Sequence, residues 1–150
     1  MDTQKFMEII DFAIEREREA VKFYHQLLEH TRFFDMKEVL REFEMMERGH
    51  ISILENMKMK KVVDLDTPKV ETLQIADYLV APVTLKNLDY QDILIVGMKR
   101  EELSMKLYTD LARDFTEPEI KQVFEKLASE EARHKLRFEK LYDREVLKEN

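Results

Sequence analysis

The chain has no cysteine and no tryptophan, and only two glycines and three prolines among its 150 residues. Without cysteine there is no disulfide, no thiolate nucleophile, no zinc ribbon, no rubredoxin centre and no iron–sulfur cluster, so any metal has to be held by carboxylates and imidazoles. Scarce glycine and proline leave few turns and few helix breakers, the composition of long helices rather than of sheets. No apolar run approaches the roughly 20 residues of a membrane span, and Met1-Asp2-Thr3-Gln4-Lys5 lacks the basic start and apolar core of a signal peptide. A cytoplasmic protein with no membrane segment is expected. A cationic excess is also missing: the net charge of −7 argues against a phosphate backbone as ligand, so nucleic acid is not an expected partner.

What the chain does have is charge laid over apolar stripes of helical period. At 150 residues it reads as one domain, 1–150, able to bury about two-thirds of its unfolded surface. A first helix is expected from near Thr3, a candidate N-cap, with Phe6, Ile10, Ala13, Ile14, Val21, Tyr24 and Leu28 on one face. Asp35 and Glu38 resemble a capping box, which predicts a short turn near Phe33-Phe34 and a second helix from about Met36 to Lys60, with Leu40, Phe43, Ile51 and Leu54 inward. Gly49, inside that helix, implies either close packing or simple tolerance. A third helix should run from near Asp89 to about Arg113, carrying Leu94, Met98, Met105, Tyr108 and Leu111 on its stripe. Thr116-Glu117-Pro118-Glu119 reads as a capping box opening a fourth helix to about Leu147, with Phe124, Leu127, Ala128, Leu136, Phe138 and Leu141 inward.

Residues 61–88 break this pattern and hold two of the three prolines, with one short periodic run from Leu73 to Leu79 that reads as a small helix. So long a connection is what a crossover along a four-helix bundle requires, leaving helices two and three parallel.

Four glutamates violate the stripes. Glu17, Glu47, Glu101 and Glu131 stand at three-, four- and seven-residue steps from apolar neighbours, so their carboxylates belong to the inward faces. His50 and His134 follow Glu47 and Glu131 by three, one turn along the same faces. Glu17 and Glu101, Tyr24 and Tyr108, Glu47 and Glu131, and His50 and His134 are all separated by the same 84 positions. Arg16 and Arg100 match at this offset too, and small Ala13 matches small Gly97. An ungapped repeat of one helical hairpin implies a pseudo-twofold bundle in which the four glutamates and two histidines converge at one level. A single Glu-x-x-His in a glutamate-rich helix is more often a solvated pair. Two copies in step, each preceded by an inward glutamate, are not explained that way. Buried carboxylates cost several kcal/mol per ion unless compensated, and two divalent cations compensate four of them.

Tyr24 and Tyr108 are candidates to hydrogen-bond the carboxylates of neighbouring helices, or else are core aromatics whose hydroxyls find other partners. His25 and His30 face Thr109 and Asp114 in the repeat and read as surface residues. The methionines, including Met45, Met46, Met57, Met59, Met98 and Met105, read as core filler rather than ligands.

At these residues the chain resembles the rubrerythrin branch of the ferritin-like superfamily. The run from Glu17 to Tyr24 is similar to its first-helix motif, and Glu101 to Tyr108 repeats it. Glu47-Arg-Gly-His50 and Glu131-Ala-Arg-His134 are similar to its two Glu-x-x-His motifs. The resemblance implies an all-α ferritin-like bundle with a long crossover between helices two and three. By that similarity Glu47 and Glu131 would bridge two metals, Glu17 and Glu101 would be terminal ligands, and His50 and His134 would each bind one metal. Two first-row ions are implied, iron foremost, with manganese or zinc as substitutes. The chain departs from the family's peroxide-reducing members in two ways. It has no cysteine-bearing rubredoxin domain, so electrons would come from an external donor such as a separate rubredoxin-like protein. It also carries Ser104 three residues after Glu101, where those members have a further glutamate.

The expected function is a di-iron oxidoreductase that reduces hydrogen peroxide or O2, with a homodimer compatible with the fold. An iron-storing protein and a non-catalytic bundle are the other readings.

Overall fold

The computed structural model describes residues 3–31, 34–61, 78 and 89–146. Four helices account for nearly all of them: α1 (Thr3–His30), α2 (Phe34–Lys61), α3 (Tyr90–Asp114) and α4 (Pro118–Glu145).

The direction of each helix follows from pairs of residues that meet. His25 reaches Glu44 while Lys58 reaches Asp11, so α1 and α2 run antiparallel. Phe6 packs on Phe115, Tyr108 reaches Glu17 and Arg100 lies over Phe23, which makes α1 and α3 antiparallel as well. Since α1 opposes both, α2 and α3 are parallel. Residues 62–89 therefore have to return the chain along the length of the bundle, as expected for a crossover. The small helix expected at Leu73–Leu79 falls outside the described residues apart from Tyr78. That buried tyrosine docks on the bundle, its hydroxyl donating to Asp110 at 2.6 Å and its carbonyl accepting from Arg16 at 3.2 Å.

Helix ends differ from expectation where local chemistry competes. Asp89 caps α3 as predicted, its carboxylate accepting from the Asp92 N–H at 2.8 Å. The capping box at Thr116 does not form. Pro118 occupies the first helical position, where its missing N–H costs nothing, and this moves the cap to Glu117, which makes no side-chain cap bond. The second helix begins at Phe34, so Asp35 stands inside its first turn rather than before it.

Packing follows the stripes, with exceptions. Leu136 is 50% exposed, because it lies two residues from both His134 and Phe138 and points off their face. Met45 and Met59 are exposed rather than core filler, whereas Met57 is buried. Leu27 is buried in preference to Leu28, and Ile51 is only half-buried. Gly49 is exposed, with nothing within 4 Å of where a Cβ would stand, so tolerance rather than close packing explains it. Gly97 is the reverse case: a Cβ there would lie 2.8 Å from the Phe138 ring.

The core is in two parts. One is centred on Phe6, Ile10, Leu54, Leu111, Phe124 and Leu127, the other on Tyr24, Leu27, Leu40, Phe43, Leu94 and Phe138. Between them lies the level of Glu17, Glu47, Glu101 and Glu131. None of the described helices is long and apolar enough to cross a membrane.

Candidate metal centre

All six residues expected at the site come together from four helices, and each is at most 2% exposed. They form two overlapping quartets, Glu17, Glu47, His50 and Glu131, and Glu47, Glu101, Glu131 and His134, with the donor atoms of each quartet within 4.8 Å of one another. Glu47 and Glu131 belong to both.

Each imidazole turns Nδ1 toward the carboxylates. His50 Nδ1 lies 3.0 Å from Glu131, 3.3 Å from Glu17 and 3.8 Å from Glu47. His134 Nδ1 lies 3.0 Å from Glu47, 3.7 Å from Glu101 and 4.0 Å from Glu131. These approaches are close without the alignment of hydrogen bonds. Among the described residues, seven of the eight buried side-chain polar atoms that lack a hydrogen-bond partner belong to these six, and both histidine Nδ1 atoms are among them. Unpartnered buried donors and acceptors are costly, and here they converge from every side on one place. Carboxylate oxygens and imidazole nitrogens are a donor set that first-row divalent ions accept. Four carboxylates also balance the charge of two such ions, so the residues fit a two-ion centre.

Without cations three of these acids, Glu47, Glu101 and Glu131, are driven toward holding protons. Burial pushes Glu101 up to about 8, the Glu17 charge adding to the effect against an opposing contact with Glu131. Burial and the Glu101 charge likewise push Glu131 up to about 8, and burial with Glu131 and Glu17 drives Glu47 well above the usual carboxylate range. For His50, burial pulls downward, but the carboxylates of Glu131 and Glu17 overcome it and push the group up to about 11. Burial lowers His134, so the two imidazoles are inequivalent.

Tyr108 donates to Glu17 Oε1 at 2.5 Å, tying α3 to a carboxylate of α1. Tyr24, its repeat partner, is equally buried and packs against Phe43, Phe138 and the edge of His134. Phe43 stacks on His134 with ring centroids 4.0 Å apart. His25 and His30 are on the surface.

Sequence reasoning missed what the outer nitrogens of the histidines touch. His50 Nε2 meets Glu130, and His134 Nε2 lies 3.3 Å from the sulfur of Met46. It also missed a small cavity of about 10 Å³ between α1 and α3, lined by Arg16, Ala20, Tyr24, Arg100, Glu101 and Ser104. The match of Arg16 with Arg100, and of their surroundings, was the available signal for that cavity.

A family model described as Rubrerythrin matches residues 8–144 of the chain. Among solved structures, a hypothetical protein from Pyrococcus furiosus is similar with a TM-score of 0.72 and 25% sequence identity, over 95% of this chain and 94% of that one. No curated protein matches.

Proposed function

The chain belongs to the rubrerythrin family, and from that membership we propose a di-iron oxidoreductase that reduces hydrogen peroxide or O2 with electrons from an external donor. The observation that carries the reading is the convergence of two overlapping Glu/His quartets whose buried donor atoms have no other partners. Glu17 and His50 would hold one ion, Glu101 and His134 the other, and Glu47 and Glu131 would be shared. Two ferrous ions bound there would supply two electrons in one step, which with two protons convert one peroxide to two waters.

The chain's own residues do the rest. The two apolar clusters above and below the acid level exclude water and raise the strength of every charge interaction in it. Tyr108 holds its hydroxyl proton on Glu17 Oε1, fixing that carboxylate. The cavity on the α1–α3 seam reaches Glu101 and has room for about one water-sized molecule, which suits a small oxidant. These 150 residues have no cysteine to hold a rubredoxin-type iron, so on this reading the reductant that resets the centre comes from outside them.

The deciding experiment is anaerobic mixing of the diferrous protein with peroxide and, separately, with O2. Rapid stoichiometric oxidation that an added reductant resets supports the oxidoreductase, whereas uptake of many irons per chain replaces it with storage. Oxidation no faster than free Fe(II), with Glu17→Ala and Glu101→Ala indistinguishable from wild type, removes the centre from the function.

A further inference from the structure

In sequence the six inner residues of the two halves pair one for one, yet the groups on the far side of the two imidazoles differ in kind. There His50 Nε2 meets a carboxylate oxygen of Glu130 on α4, a side chain only 14% exposed. His134 Nε2 meets the thioether of Met46 on α2. Met46 and Glu130 are themselves repeat partners, 84 positions apart, each one residue before the glutamate of its Glu-x-x-His motif. In an otherwise paired frame the chain sets a carboxylate behind one histidine and a sulfur behind the other.

A histidine that offers Nδ1 to a metal carries its proton on Nε2, so whatever accepts that N–H fixes the tautomer and the plane of the ring. A carboxylate accepts strongly and makes the imidazole a better donor, while a thioether is a weak acceptor. Such outer partners are worth about 10–100-fold in metal affinity. The inner residues are of the same types in both halves, each quartet having one glutamate of its own, one histidine and the same two shared glutamates.

Resting on the two-ion reading above, we propose that Glu130 is a positioning residue that makes the two metal positions unequal. The position built from Glu17 and His50 fills first and releases its ion last, and the position built from Glu101 and His134 is the exchangeable one. Tyr108 adds a second asymmetry by hydrogen-bonding Glu17. Exchanging Met46 and Glu130 leaves that bond in place and so separates the two effects.

Crystals of the full chain grown with one zinc ion per chain report each position's occupancy through anomalous scattering at the zinc edge. Wild type should hold zinc at the His50 position about ten-fold or more above the His134 position. Glu130→Met should lower the ratio several-fold, leaving what Tyr108 on Glu17 contributes, and Glu130→Gln, which keeps an acceptor without its charge, should fall between. The double exchange Met46→Glu with Glu130→Met should reverse the order, which a merely structural role for Glu130 would not produce. Equal filling in wild type, or an order unmoved by the exchange, overturns the inference and leaves the two-ion centre standing. Zinc at neither position overturns the two-ion reading itself.

Discussion

Tyr108 on α3 and Glu17 on α1 are joined by a buried hydrogen bond of 2.5 Å, in which the phenol donates to Oε1 and leaves Oε2 facing His50 Nδ1 at 3.3 Å. Burial, and then the Glu17 charge, push Tyr108 ionisation well above the ordinary phenol range, so it stays a donor at any working pH. Bonds of this kind to a charged group contribute about 1.5–3 kcal/mol. Tyr108→Phe is accordingly expected to destabilise the metal-free protein by that amount in urea denaturation. An unchanged midpoint would show that Glu17 is held by its other neighbours.

The metal-free protein should lose stability as pH rises from about 6.5 to about 8. Glu101 and Glu131 titrate near 8 when folded, against about 4.5 unfolded, and His50 near 11 against about 6.5. Over that window the folded chain binds more protons than the unfolded one, so unfolding is favoured as protons are withdrawn, by on the order of 1 kcal/mol per pH unit for each such group. His134, lowered by burial, contributes the opposite slope, but only below its unfolded value of 6.5. Melting temperatures across this range in the presence of chelator are the measurement, and a flat profile would contradict the buried protons.

Loading the centre should reverse that trend, since cations displace the same protons and bind better as pH rises. A divalent ion at 100 times its dissociation constant adds about 2.7 kcal/mol to the folded state. Glu101→Gln should weaken this gain while making the metal-free protein more stable than wild type at pH 8, because a buried carboxylate opposed by burial and by the Glu17 charge has been removed. Stability and metal binding would then move in opposite directions in one variant.

The two glycines should respond oppositely to alanine. Gly49→Ala meets open space and gains helix propensity, worth about 0.8–1.0 kcal/mol. Gly97→Ala places its Cβ 2.8 Å from the fully buried Phe138 ring, which packs against Tyr24 and Phe43. Overpacking of this kind costs about 1–3 kcal/mol and outweighs the propensity gain. Chemical denaturation of both variants beside wild type checks the pair.

The inward glutamates could be read from the chain because a carboxylate on an apolar stripe contradicts its surroundings, and the repeat turned four contradictions into one pattern. Helix directions followed from loop lengths, which constrain topology strongly. Thr116 was misread because the pattern Thr-x-x-Glu says nothing of Pro118, whose fixed φ competes for the same turn. Leu136, Met45 and Met59 show the limit of composition: hydrophobic residues also occur on the outer face, and only angular position decides. The contacts of Glu130 and Met46 join α2 to α4, and no periodicity within one helix reports what a neighbouring helix brings.

The division of the bundle into two hairpins bears on how the molecule comes together. Each hairpin is densely packed within itself, α1 on α2 and α3 on α4, and touches the other much less. Contacts close in sequence form early, so the hairpins are the units that assemble first and their docking comes last. Both quartets draw residues from both hairpins, which puts the mutual repulsion of four acids on the last interface to close. Protons or cations act there as a fastener, and the same level that would carry out the chemistry sets the rate at which the two halves shut.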